Sequence, residues 1–186
     1  LDFENKRIIL VTAHRRENLG QPLENICNAL REIALAYSDV ELVYPVHLNP
    51  AVRDVAFRIL SDLDNVHLIE PLDVEELHNA MDRCYLVLTD SGGLQEEAPA
   101  LGKPVLVLRT ETERPEAVAS GTVKIAGVDK DVIVSMTKEL LDNPSAYDKM
   151  AKAANPYGDG NASQRIVQAI LHKFTGTGER PADFCS

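Results

Sequence analysis

Short unbroken apolar runs alternate with longer segments in which apolar residues recur every three or four positions, from Arg7 to Phe174. The runs are Arg7-Ile8-Ile9-Leu10-Val11-Thr12, Glu41 to Val46, Val66 to Ile69, Tyr85 to Thr89, Val105 to Leu108 and Thr122 to Ala126. They lack the polar-apolar alternation of a half-exposed strand, so they read as strands buried on both faces. Between the first two runs, Leu23, Ile26, Cys27, Leu30, Ile33, Ala34 and Tyr37 mark an amphipathic helix, with Pro22 placed as its first residue. Further helices are predicted over Val52 to Leu60 and from the end of the Ser91-Gly92-Gly93 turn to Leu101. Others are predicted over Lys130 to Leu141, Ser145 to Ala153 and Ala162 to about Phe174, with a short helical piece after Glu116. Asp73 followed by Glu76 has capping-box spacing for a helix running through Met81. Gly102-Lys103-Pro104 stops the helix before it. Strand after helix after strand predicts an α/β fold: a doubly wound parallel sheet of Rossmann-like type, helices on both faces. Residues 1–174 read as one domain and 175–186 as a flexible tail.

Ligands of such sheets bind beyond the carboxyl ends of the strands. The polar clusters fall there: His14 to Asn18 after the first strand, His47-Leu48-Asn49-Pro50 after the second, Asp90 to Gly93 after the fourth, Arg109 to Glu116 after the fifth. At Ser91-Gly92-Gly93 a ligand can approach the backbone closely, and the helix that starts there offers unpaired N–H groups and a dipole favouring negative charge. Such a turn suits a phosphate. Gln95, Glu96 and Glu97 follow on the first turns of that helix. A carboxylate there repels phosphate and more naturally accepts hydrogen bonds from a pair of sugar hydroxyls. The same pattern is also compatible with a Gly-rich turn that holds nothing, and with merely solvated loops. Four clusters at four strand ends favour a site. Arg114 is the first candidate for a phosphate contact, because a guanidinium offers forked donors. Arg15 and Arg16 are the other candidates, since two adjacent arginines do not easily both point inward. His14 has the chemistry of a general acid or base, or of a donor to a departing phosphate. His67 and His78 read as structural and His172 as a surface residue.

Composition narrows the partners. The chain has 186 residues, 45% of them apolar and 26% charged, enough for one sizeable core. Its net charge of −10, with 19 basic against 29 acidic residues, argues against nucleic acid or an anionic membrane as partner. No apolar run approaches membrane-spanning length. Cys27, Cys84 and Cys185 are far apart, without metal-ligand spacing, so no metal is expected and a reducing, cytoplasmic setting fits. The chain starts without Met and enters its first strand almost at once, the expectation for a domain excised from a longer protein.

The motifs Thr12-Ala13-His14-Arg15-Arg16-Glu17-Asn18, His47-Leu48-Asn49-Pro50, Thr89 to Pro99 and Arg109 to Glu116, in that order, closely resemble the non-hydrolysing UDP-N-acetylglucosamine 2-epimerases. The resemblance runs from about Arg7 to Phe174. It implies the C-terminal, UDP-holding half of a two-domain glycosyltransferase-B arrangement, with the N-terminal domain absent. It also implies interconversion of UDP-N-acetylglucosamine and UDP-N-acetylmannosamine by elimination and re-addition of UDP, with no cofactor and no metal. By position, Ser91, Gly92 and Gly93 would hold phosphates, Glu97 the ribose hydroxyls and Arg114 the diphosphate or sugar. His14 would lie beside the reacting centre, and Arg15 and His47 would meet a second, regulatory UDP-N-acetylglucosamine. Leu77 stands where the family usually has an aromatic residue near the uracil. The family's acid/base carboxylates lie largely in the missing half, so the isolated half is expected to bind UDP weakly and not to epimerise. Family members are commonly homodimers. A UDP-sugar glycosyltransferase domain and a non-catalytic UDP-sugar-binding module are the alternatives. The first is disfavoured because Glu97 lacks the second glutamate, seven residues away, that retaining transferases often show.

Overall fold

The computed structural model describes residues 2–176 and 178–183. Six strands form one parallel sheet: β1 (Arg7–Thr12), β2 (Val40–Pro45), β3 (Val66–Ile69), β4 (Leu86–Thr89), β5 (Val105–Val107) and β6 (Val123–Ile125), in the order β3-β2-β1-β4-β5-β6. Every pairing is parallel, as the helix between each pair of strands requires. The helices are α1 (Gln21–Ala36), α2 (Pro50–Leu60), α3 (Val74–Arg83), α4 (Gly92–Ala100), α5 (Pro115–Ser120), α6 (Lys130–Asp142), α7 (Pro144–Ala151) and α8 (Ala162–Thr175). Predicted and observed boundaries agree to within a residue or two. Pro22 is the second residue of α1, behind an N-cap at Gly20, whose φ of 83° suits glycine. Both halves of the Asp73–Glu76 capping box form.

The uninterrupted apolar runs are explained by two cores, one on each face. Ile9 and Val11 of β1, Leu86 and Leu88 of β4 and Leu106 of β5 pack with α1, α2 and α6 through Leu23, Ile26, Leu30, Val52 and Ile133. Ile8 and Leu10, Val87, and Val105 and Val107 point the other way, to Met81 of α3, Leu94 and Ala98 of α4 and Ala117 of α5. Each Val, Leu, Ile or Met among them contributes about 1.5–3 kcal/mol through burial, and each Ala less. Cys27 and Cys84 are buried thiols in these cores, and burial pushes both up to about 12.

Chain direction reverses between β1 and β4: β1, β2 and β3 step outward to one edge, and α3 returns the chain past β1 to start β4. That switch point leaves a crevice between the loops after β1 and β4, where ligands of doubly wound sheets lie. The last helix differs from the rest. None of its residues is buried, and Ile166, Val167, Ile170, Leu171 and Phe174 are all exposed. The expected flexible tail, 175–186, starts at the last residue of α8. Residues 177 and 184–186, including Cys185, lie outside the described residues, as does Leu1.

Candidate phosphate-binding site at the β1/β4 switch point

The crevice is built on a buried carboxylate. Asp90, the residue after β4, is fully buried. Its Oδ2 accepts from the backbone N–H groups of His14 (2.8 Å) and Arg15 (2.7 Å) and from Asn18 Nδ2 (3.0 Å). Asn18, also buried, donates in addition to the Leu108 carbonyl at 3.0 Å, which ties in the end of β5. The loop after β1 is therefore not a free polar loop. It contains a 3₁₀ turn over Arg16–Asn18 that folds it onto Asp90. Below it, the hydroxyls of Thr12 and Thr89 are 2.6 Å apart, and Thr89 accepts from the Ser91 N–H at 2.9 Å. This buried polar layer fixes the spacing between β1 and β4.

Above it lies the start of α4. Ser91 occupies the N-cap position but makes no side-chain cap bond among the described residues. The first N–H groups of the helix are therefore left without a side-chain cap from Ser91. A Cβ on Gly92 would lie 3.7 Å from Arg114 Nη2 and 3.8 Å from Arg15 Nη2, so two guanidinium groups flank the bare backbone there. Of the adjacent pair, Arg15 turns inward and also donates from Nε to the Asp90 carbonyl at 3.2 Å, whereas Arg16 is exposed. Arg114 is held through Nε by Glu96 and through its backbone N–H by Thr112 Oγ1. Thr112 in turn donates to the buried Gln95, which donates to the Ser91 carbonyl at 3.1 Å.

The remaining candidates surround this centre. Glu97 Oε1 lies 3.4 Å from the Cβ position of Gly93, and Oε2 is 3.1 Å from His78 Nε2. His78 sits beside Glu97 at a groove of about 730 Å³ between α3 and α4, lined by Val74, Met81, Ala100 and Leu101 as well. Sequence spacing could not pair residues that meet across two helices. The rings of His14 and His47 stack, with centroids 5.2 Å apart and planes within 3°. Arg109 is 9% exposed and donates to Glu17 (2.6 Å) and to both oxygens of Glu113 (2.6 and 2.9 Å). Those bonds hold Glu113 well below the usual carboxylate range, at about 2. Leu77 is partly buried against the α3-side core. His67 pairs with Glu41 at 3.0 Å, and His172 is exposed.

His14, Arg15, His47, Ser91, Gly92, Gly93, Glu97 and Arg114 thus come to one sheet edge, from the ends of four strands. Asp90, Asn18 and Thr112 lay inside the polar clusters without a role of their own, and Gln95 was named only as a polar group beside the turn; the structure shows that these four hold the others. Position in a polar cluster was the signal, and it did not say which members are buried. Among the described residues no group of three His, Cys, Asp or Glu side chains could hold a metal ion, and no helix is long and apolar enough to cross a membrane.

A parallel sheet in 3-2-1-4-5-6 order defines a Rossmann-type domain, and the glycine turn, helix N-terminus and two guanidinium groups at its switch point make up a candidate anion site. Residues 1–171 match the UDP-N-acetylglucosamine 2-epimerase family. The chain is 55% identical over 178 residues to UDP-N-acetylglucosamine 2-epimerase of Bacillus subtilis, covering 96% of this chain and 47% of that protein. It superposes on the S. aureus MnaA–UDP co-structure with a TM-score of 0.91 and 52% identity, covering 98% of this chain and 50% of the other. Against UDP-GlcNAc 2-epimerase from Neisseria meningitidis bound to UDP-GlcNAc, the TM-score is 0.86 and the identity 50%, covering 90% and 45%. The chain belongs to the UDP-N-acetylglucosamine 2-epimerase family. It spans about half the length of the curated relatives it matches.

Proposed function

We propose that this chain is the UDP-holding half of a non-hydrolysing enzyme that interconverts UDP-N-acetylglucosamine and UDP-N-acetylmannosamine. The observation that carries the reading is the flanking of Gly92, at the N-terminus of α4, by Arg15 and Arg114. A diphosphate there receives backbone N–H donors, a favourable dipole and two forked cations. The relatives solved with UDP and with UDP-GlcNAc, at about half identity, support the same ligand class. In this reading Ser91, Gly92 and Gly93 hold the phosphates. Glu97, one turn along α4, accepts from the ribose hydroxyls while His78 holds its other oxygen.

The chemistry assigned to this half is departure of the leaving group. Loss of the C2 proton to a base and of the C1–O electron pair to UDP leaves a 2-acetamidoglucal. Re-addition of UDP at C1 with a proton delivered to the other face of C2 gives the epimer. Charge develops on the departing diphosphate, where the two guanidinium groups and the helix end stabilise it. His14, at the rim of the same crevice, donates to that oxygen or protonates it. The base at C2 is assigned to the half that this chain lacks, so the chain alone is expected to bind UDP but not to turn over UDP-N-acetylglucosamine. Arg15 approaches Gly92 as closely as Arg114 does, which favours a phosphate role for it. His47, stacked outside His14, is the side chain left to meet a second, regulatory UDP-N-acetylglucosamine.

Calorimetric titration of the chain with UDP and with uridine tests the reading. UDP is expected to bind far more tightly than uridine. Arg114→Ala should weaken it by about 10- to 100-fold, the worth of a hydrogen bond to a charged group, because it also strands Glu96 beside the phosphates. Glu97→Ala should cost about 10-fold or more, because a hydroxyl donating to a carboxylate is likewise a hydrogen bond to a charged group, worth about 1.5–3 kcal/mol. Equal affinity for UDP and uridine, or turnover of UDP-N-acetylglucosamine by the chain alone, would overturn the respective parts.

A further inference from the structure

Asp90 has a spare oxygen. While Oδ2 takes three donors, Oδ1 is buried without a hydrogen-bond partner among the described residues, and His14 Nδ1, a group able to donate, lies 3.6 Å from it. The carboxylate is wholly buried, whereas the imidazole is 39% exposed. We propose that Asp90 is a positioning residue for His14: Oδ1 claims the Nδ1 proton, so that Nε2, on the opposite edge of the ring, is the atom presented to the crevice.

Three observations converge on this. A buried carboxylate oxygen requires a donor, and His14 Nδ1 at 3.6 Å is placed to supply one. The 3.6 Å separation is slightly longer than a hydrogen bond and closes with a small swing of the ring, as contacts of acid–base groups often tighten when ligand arrives. The swing is guided, because His14 is fixed below by its own N–H on Asp90 Oδ2 and on one face by the parallel ring of His47. His47 itself is locked the other way. Its Nδ1 accepts from the Asn49 N–H at 3.1 Å, so neutral His47 carries its proton on Nε2. The stacked rings therefore carry opposite tautomers. A histidine held with Nδ1–H on a buried carboxylate shuttles protons through Nε2 alone, which suits a group that protonates a departing diphosphate. That last step rests on the function proposed above; the tautomer does not.

The test is the nitrogen chemical shifts of the histidine rings in the ¹⁵N-labelled chain, at alkaline pH where the rings are neutral. The His14 signals are identified by their loss in His14→Gln. Expected are the Nδ1–H form for His14, against the preference of an unconstrained histidine side chain, and the Nε2–H form for His47. Asp90→Asn sharpens this. The three donors on Oδ2 select the amide oxygen for that position, which turns the amide NH₂ toward His14 Nδ1. The His14 tautomer should then invert to Nε2–H while His47 keeps its own. A merely structural Asp90 would leave the His14 tautomer unmoved. An Nε2–H form for His14 in the unmodified chain, or an unchanged tautomer in a folded Asp90→Asn variant, overturns the proposal. If Asp90→Asn fails to fold, the spectrum of the unmodified chain decides alone. Absence of UDP binding with the Nδ1–H tautomer intact would count against the ligand and leave Asp90 in its role.

Discussion

The turn from Thr89 to Glu97 has an inner and an outer side, and they are built on different principles. Inward, Thr89, Asp90 and Gln95 have no exposure, and each is hydrogen-bonded to a neighbouring segment across the crevice or within the turn. Outward, Glu96, Glu97 and Arg114 are partly or largely exposed and make pairs that water and salt weaken. A buried polar group must be satisfied by fixed neighbours, so the inner residues specify geometry. An exposed ion pair exchanges partners at little cost, so the outer residues are free to take a ligand. Residues one position apart in a single turn can therefore be scaffold and recognition surface in alternation.

The contrast is broken most severely from inside. Asp90→Ala leaves two backbone N–H groups and the Asn18 amide without their shared acceptor. It should cost about 3–5 kcal/mol, or on the order of 10 °C in melting temperature for a chain of this size. A loss under about 1 kcal/mol by chemical denaturation would mean that the buried layer does not hold the two loops together. From outside, the effect should be smaller and of the opposite kind. Glu96→Gln releases Arg114 from a pair with both side chains about a third exposed. At the roughly 0.2–1 kcal/mol such a pair is worth, UDP should bind about 1.5- to 5-fold more tightly, with little change in melting temperature. Weaker UDP binding in Glu96→Gln would show that Glu96 orients Arg114 instead of competing for it.

The smallest expected effect concerns acid. Arg109 holds Glu113 at about 2, below an ordinary value of 4.5. A depressed folded-state value stabilises above the unfolded one and is lost on protonation. The loop 109–116 should therefore keep its anchor above about pH 4.5 and lose it as the pH falls towards 2. Amide protection in that loop, taken relative to the intrinsic exchange rate at each pH, should fall over this window in the unmodified chain and already be low at neutral pH in Glu113→Gln. Protection unchanged by both acid and substitution would remove Arg109 as the anchor.

Much of this was legible before folding. Runs such as Ile8-Ile9-Leu10-Val11 without polar alternation require cover on both faces, and the periodicity of Leu23 to Tyr37 supplies part of it. The residues at the strand ends were identifiable because polar clusters recur at the ends of four strands that converge on one edge of the sheet. Less legible was the division of labour among them. Asp90 and Glu97 are both acidic residues in one short stretch, and nothing local says that one is buried under three donors while the other faces solvent. His78 read only as a structural residue because its partner, Glu97, lies on another helix. The Asn18–Asp90 and Arg109–Glu17 contacts join segments 72 and 92 residues apart, beyond any spacing rule.

The sequence by itself determined the element order, the parallel doubly wound sheet and the edge at which polar residues collect, because hydrophobic periodicity and helix punctuation are local properties of the chain. Only the tertiary structure decided which polar residues carry the site and which present it. That choice depends on burial and on partners brought together across β1, β4 and β5, and a carboxylate's role is set by what surrounds it rather than by what it is.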